Sequence, residues 1–516
     1  MKSVFHKITV PVLCILLAGC DFDEINTNPN APATATPGML AAGQIGNMLI
    51  KSDNGKGFFF DHMISKHISW HEGTTEDSQY NRFGRWGFDV YLNLTNVQRM
   101  VEIADEIDQD AYTGLFLFIK AQRLFDLSLA LGDIPYSGAL QALDGVTSPK
   151  YDAQKDVMRQ ILNDLDSAYR HFENAGTRSF AGDITHFEGN PQKWQRAVSV
   201  LQLKTLINLS KKETSDPDLN IRARFAGIVA SRQLMLSNGD NLQLTYGTQT
   251  STKYPMYVLG GNRNSMYPDM TAPVMNPLKQ YGDYRLFSLA EPSKYQMNPD
   301  SQTGLTESDW EAYQCVDPSG IFAEINRLHL DGKVSLLNNR FFELQEGQPA
   351  IKLGYAEQEF ILAEARLRGW ITGDANEYYK EGIRASMKFT GDHTPGGYAH
   401  GRPITDDWIE AFLQKPEIQL SGNTLTEENL SKIITQKYLA AFMHDTYTSY
   451  FDYRRTGYPV LPVNPESNQN TVPDRMPLRW MYSETEYQYN RENVLEAVQR
   501  QFDGNDEVNR EMWILK

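Results

Sequence analysis

Tyr355-Ala356-Glu357-Gln358-Glu359-Phe360-Ile361-Leu362-Ala363-Glu364-Ala365, running on to Gly369, is the stretch that decides the architecture. Ala356, Phe360, Ala363 and Leu367 fall on one face at helical spacing, and Gly369 ends the helix. Asp374 then caps a second helix, with Glu377 three residues on in the capping-box position and Tyr379, Ile383 and Met387 as its apolar stripe. Small residues at the crossing (Ala363, Ala365, Ala375, Gly382) allow the two helices to approach closely as an antiparallel pair.

The same grammar repeats outward. Residues 110–132 are apolar on most faces (Leu115, Phe116, Ile119, Leu124, Phe125, Leu127, Leu131), which marks a central buried helix ended by Gly132-Asp133-Ile134-Pro135. Residues 153–174 carry Val157, Ile161, Leu165 and Tyr169 at four-residue spacing. Asn190-Pro191 opens the next helix as cap and first-turn proline, with Trp194, Val198, Leu201 and Thr205 on one stripe. A further helix begins at Thr424-x-x-Glu427 and runs through Ile434, Tyr438 and Ala441 toward Tyr450. Such helix–turn–helix units stack as tetratricopeptide-like repeats do. Residues 240–350 differ: rich in Gly, Pro, Asn and Tyr, they show only weak alternation (Leu242-Gln243-Leu244). The expected fold is mainly α, with tetratricopeptide-like helix pairs packed against a loop-rich region holding few short strands. Loops of that length on a rigid helical frame are where binding residues sit.

The first residues set the compartment. Lys2 and Lys7 precede an uncharged run from Ile8 to Leu17, too short for a bilayer span of roughly 20 residues. It ends in Leu17-Ala18-Gly19-Cys20, where small residues admit a lipoprotein signal peptidase and the Cys20 thiol takes the lipid. The alternative is an ordinary secretory signal with a chance cysteine. On the lipoprotein reading, residues 1–19 leave as signal peptide, 20–38 form a proline-rich lipid-anchored tether, and 39–516 form the folded domain. Cys14 leaves with the signal and Cys20 becomes a thioether, so Cys315 has no partner for a disulfide. Beyond the tether no uncharged stretch approaches a membrane span; the most apolar, Leu115 to Ile119, is followed at once by Lys120. Asp21-Phe22-Asp23-Glu24 resembles the signal that sends Bacteroidetes lipoproteins to the cell surface, which implies the outer membrane with the protein facing out, although Asp directly after the cysteine signals inner-membrane retention in enterobacteria. A net charge of −16 over 516 residues argues against a nucleic-acid partner, which phosphate contacts would require to be basic.

Several segments together resemble the SusD/RagB family of outer-membrane nutrient-binding lipoproteins of Bacteroidetes, in its SusD-like second type. They are Asn26-Thr27-Asn28-Pro29-Asn30, Leu129 through Tyr136, Tyr355 through Ala365, Tyr453-Arg454-Arg455-Thr456-Gly457-Tyr458-Pro459, and the tail from Arg479-Trp480-Met481-Tyr482 through Asn490 and Asn493. The resemblance implies a non-catalytic protein that captures oligosaccharides, or in some members peptides. It implies a SusC-like TonB-dependent transporter as partner, which the lipoprotein covers like a lid, and no cofactor. The family has no universal ligand residues to carry over.

Enzyme signatures are sparse: there is no Gly-x-Ser-x-Gly elbow and no Cys-x-x-Cys, and His71-Glu72 is followed by Gly73-Thr74-Thr75 rather than a second histidine at zincin spacing. A lipid-anchored hydrolase stays as the remote alternative, since carboxylate pairs facing across a cleft are invisible in sequence. Of His62, His67 and His71, the last two, four apart, would share a helical face and could bind a metal with Asp61 or Glu72, yet lack a clear third ligand, so a polar helix edge running into a loop is expected there and no metal site. Aromatics are the better lead, because sugar rings stack their C–H faces on Trp and Tyr while Asn, Asp, Arg and Gln take the hydroxyls. The expected ligand-binding residues are therefore Trp70, His71, Tyr80, Asn81, Arg82, Trp86, Asn264, Tyr267, Trp310 and Tyr313, on loop-like segments. Trp194, Trp370 and Trp480 sit in helical or motif positions and are expected in the core.

Overall fold

A computed structural model describes residues 35–50, 55–73, 76–249, 252–257 and 266–516. The signal, Cys20 and most of the tether lie outside the described residues, as does Asn264. Helices carry the fold among the described residues. The N-terminal set is α1 (Pro37–Leu49), α2 (Val90–Glu102), α3 (Gln109–Leu131), α4 (Gln154–Ala175), α5 (Pro191–Asn208) and α6 (Ile221–Ser231). The C-terminal set is α7 (Ala272–Tyr281), α8 (Tyr355–Leu367), α9 (Ala375–Asp392), α10 (Asp406–Leu413), α11 (Glu427–Ala440), α12 (Tyr447–Thr456) and α13 (Arg491–Phe502).

Local signals placed these elements well. Asn190 caps α5, its side chain accepting from the Gln192 and Lys193 amides, and Asp374 caps α9 by accepting from Asn376. The α8–α9 pair crosses as closely as its small residues suggest: a Cβ on Gly382 would lie 2.7 Å from the Phe360 ring. Around that crossing Phe360, Leu367, Tyr379, Ile383 and Met387 bury a core of their own with Ile409 and Phe412 of α10. The principal core is built on α3, α4 and α5, where Trp194 meets Phe118 and Phe172 at ring separations of 5.3 and 6.0 Å. Trp194, Trp370 and Trp480 are all buried, as expected.

Two sequence expectations are corrected. The helix expected to start at Thr424 is capped by Thr426, whose hydroxyl accepts from the Asn429 amide at 3.2 Å. It does not run to Tyr450: the chain breaks after α11, with Met443 at φ 65°, and restarts as α12. Residues 240–350 also hold more structure than expected, including α7, a short helix Phe322–Leu330 and several single turns, each too brief for a periodic signature.

The strands are short and pair across long sequence distances. β1 (Ile68–Trp70) pairs antiparallel with β4 (Pro268–Met270), and β3 (Leu242–Leu244) antiparallel with β5 (Ala350–Leu353). β2 (Arg85–Trp86) runs parallel to β6 (Met481–Tyr482), which sets Trp86 opposite Tyr482.

Family-like motifs turn out to be clasps between distant segments. The Asp133 amide donates to Gln501 Oε1 at 2.9 Å, its carboxylate meets Arg500 at 2.6 Å, and its carbonyl accepts from the Tyr482 hydroxyl at 2.7 Å. Arg454 reaches back to the Leu129 carbonyl at 2.8 Å, and the Trp480 amide donates to Ala130. Arg455 forks onto Glu364 of α8 and also meets Asp452 at 2.8 Å, while Lys437 pairs with Asp452 at 2.8 Å. Lys212 closes the terminus by donating to the Lys516 carbonyl at 2.8 Å.

Glu359 on α8 is buried with no cation against it among the described residues; Gln358 donates to it at 2.9 Å. Burial, and to a lesser degree Glu381, pushes its carboxyl up to about 7 against the Gln358 bond. The folded value lies above the ordinary 4.5, so the folded state favours the protonated acid and loses stability as pH rises through about 7. Glu359→Gln should therefore raise the melting temperature at pH 8, with the gain fading toward pH 4.5. Melting curves at the two ends of that range check it, and an equal gain at both ends would refute the assignment.

Candidate functional site

Most of the rings expected to meet ligand are interior. Trp70, on β1, is 1% exposed, wedged between Phe59 and Tyr267, with Nε1 donating to Glu72 at 3.3 Å. Tyr80 donates to the Gly320 carbonyl at 2.9 Å, and Asn81 holds φ 63° while accepting from the buried Lys66 ammonium at 2.8 Å. Tyr313 is fully buried, its hydroxyl donating to the Glu307 carbonyl at 2.7 Å. All four side chains are buried where loop-like exposure was expected; β1–β4 pairing and the Lys66 bonds turn the segment from Trp70 to Asn81 inward. Lys66 also donates to the Gln79 carbonyl, and burial lowers its ammonium to about 7 against the pull of Asp317.

The histidines do not share a helical face either. His67 follows a helix end, stacks on Tyr438 at 3.8 Å and directs Nε2 to the Tyr438 carbonyl at 2.9 Å. His71 lies beyond β1, buried between His329, at 4.2 Å, and Phe322. Burial, then the neighbouring His329, lowers it to about 4, so it stays neutral. Arg82 is exposed beside Asp77, and Tyr267 is half-buried against Trp70.

Trp86 is different. It is half-exposed on a cleft of about 360 Å³. β2 fixes its backbone, and Trp480, edge-on at 4.7 Å, fixes its ring. Tyr447 and Phe451, one turn apart on α12 with rings 6.2 Å apart and nearly parallel, extend the aromatic wall. Arg123, Asp126 and Leu127 line the cleft from one face of α3; Gly87, Asp89 and Val90 come from the entry to α2, and Lys352 from β5.

The polar groups are set by a charge relay. Lys352 Nζ donates to Asp126 at 2.9 Å and to Asp445 at 2.8 Å; burial alone would lower its ammonium, but the two carboxylates hold it above the ordinary lysine value. Burial, with Asp61, Asp445 and Asp126 nearby, keeps the Tyr447 hydroxyl protonated far above its usual range. Lys352 also lines a neighbouring space of about 60 Å³ edged by Glu357, Lys437, His444, Asp445 and Phe389. The arrangement is an aromatic corner, Trp86 turned 70° from Tyr447, beside fixed donors and acceptors, suited to a polyhydroxylated ring.

A second aromatic group lies apart from this cleft. Trp310 is half-buried, edge-on to Phe287 at 4.7 Å, beside Tyr284, which stacks on Trp408 of α10 at 4.2 Å with Arg402 over its ring. Sequence reasoning missed Tyr447, Phe451, Arg123 and Lys352; the four-residue spacing of Tyr447 and Phe451 was the one available signal.

Residues 29–483 match the SusD-like family of the second type, described as starch-binding and associating with the outer membrane. This chain belongs to that family. The SusD-like fold is shared at a TM-score of 0.88 with a SusD homologue of Bacteroides fragilis NCTC 9343, 46% identical over 93% of this chain and 100% of that one. A second SusD homologue of the same strain is 31% identical, with a TM-score of 0.79 and coverage of 94% and 100%. A chitin-binding SusD homologue from Flavobacterium johnsoniae, 23% identical with a TM-score of 0.70 and coverage of 93% and 98%, shares the fold. No curated protein sequence matches. In this SusD-like chain no helix among the described residues is long and apolar enough to cross a membrane.

Proposed function

We propose that this protein captures oligosaccharides at the outer membrane in the Trp86 cleft and passes them to a SusC-like TonB-dependent transporter, without catalysis. A lipid on Cys20 holds it at the cell surface. The observation that carries the reading is Trp86, half-exposed beside Tyr447 and Phe451 in a cleft shared with Arg123, Asp126 and Lys352. Stacking on such a ring buries apolar C–H surface, and the fixed charges order the hydroxyls. The family's starch-binding description and the chitin-binding relative support a glycan as cargo.

Trp86→Ala should weaken binding of the best oligosaccharide at least tenfold, whereas Trp310→Ala should leave it within about twofold; aromatic stacking is worth about 1.5 kcal/mol or more once area burial is included. Isothermal titration against plant and host oligosaccharides checks this, with unchanged melting of each variant as control. Equal affinity of Trp86→Ala and the parent would sink the assignment. Palmitate labelling lost in Cys20→Ala tests the anchor.

A further inference from the structure

Within the cleft the charges are not equally occupied. Lys352 lies between two carboxylates, and Asp126 Oδ2 accepts both from Lys352 and from Gln122 at 2.6 Å. Arg123 forms no ion pair among the described residues; its one hydrogen bond there is a long one, 3.4 Å, from Nη1 to the Asn47 carbonyl. Burial pulls its guanidinium below the ordinary value against the nearby Asp126. Asp89, the remaining carboxylate of the cleft, sits exposed at the solvent rim, where water and salt screen it.

A half-buried guanidinium that spends one of its five donors on protein among the described residues can offer the others to a ligand. Its planar fork matches a carboxylate, which accepts two parallel bonds, whereas a neutral hydroxyl satisfies one donor and no charge. Such a carboxylate must arrive on a ring flat enough to lie on Trp86, with Tyr447, turned 70° from it at 5.7 Å, packing against the ring's edge. We propose that the Trp86 cleft selects oligosaccharides carrying a uronic acid, with Arg123 receiving the carboxylate. This rests on the oligosaccharide reading of the same cleft, and it adds a specificity residue to it.

The test uses matched pairs that differ only in charge: oligogalacturonate, alginate and hyaluronan oligomers, each against its methyl ester, titrated into the full mature protein. At least one acid should bind ten- to a hundredfold tighter than its ester at low salt, and that margin should shrink as sodium chloride is raised. Arg123→Gln should remove the margin, costing the acid far more affinity than the ester, and Arg123→Lys should keep part of it. Trp86→Ala should weaken acid and ester alike. Acids and esters binding equally, or a margin that survives in Arg123→Gln, overturns the proposal and leaves the oligosaccharide reading standing. If no sugar binds and a peptide digest does, both readings fall.

Discussion

Glu364→Gln is expected to destabilise the fold by about 3–5 kcal/mol, measured by urea denaturation at neutral pH. The carboxylate is buried at the join of α8 and α12, where Arg455 takes it in a fork and Arg368 adds a bond at 2.8 Å. Burial alone would push this acid up, but the Arg455 and Arg368 guanidiniums outweigh it and hold the carboxyl below its usual value. Glutamine keeps the volume and removes the charge, so Arg455 is left buried with Asp452 alone, which Lys437 also claims. Leaving a buried cation short of its counter-ion is far costlier than losing an exposed pair. Adding Arg455→Met to Glu364→Gln should recover part of the loss, because the uncompensated charge goes with it. A loss under about 1 kcal/mol for the single variant would mean the network is solvated and the argument wrong.

Gly132→Ala should cost about 2–4 kcal/mol, combining backbone strain with the loss of a buried hydrogen bond. Gly132 ends α3 at φ 98° and ψ −118°, a conformation that L side chains rarely adopt. A Cβ there would fall 2.0 Å from Gln501 Oε1, the atom that accepts from the Asp133 amide. Gln501→Ala in the Gly132→Ala background should relieve the clash but not the strain, returning less than half of the loss. A Gly132→Ala protein as stable as the parent would show that α13 yields without penalty. Neither change touches the Trp86 cleft, so oligosaccharide affinity at low temperature should persist in the folded fraction of both.

The helices could be read from sequence because their determinants are local. Asn190-Pro191, the Asp374 cap and the small residues of the α8–α9 crossing act within a few positions of where they stand. The site could not be read, because its walls come from β2, α3, β5 and α12, between Trp86 and Phe451. Trp70 and Trp86 look alike in sequence, each in a polar, aromatic-rich segment. What separates them is partner choice: β4 covers Trp70, while β6 leaves one edge of Trp86 open. Likewise Arg455 and Asp133 belong to motifs that suggest function, yet both are spent on holding distant segments together. Motif residues and the residues proposed to hold ligand are different sets here, so the family resemblance carries the fold and not the proposed site.

The clasp on residues 129–133 by Arg454, Trp480, Arg500 and Gln501 has a consequence for biogenesis. Closing contacts some 350 residues apart is entropically expensive and slow. A polypeptide emerging amino end first holds its central helix ready but unlatched until Arg454 to Gln501 have arrived. Truncation near the carboxyl end should therefore yield an open, protease-sensitive intermediate rather than a slightly smaller native protein.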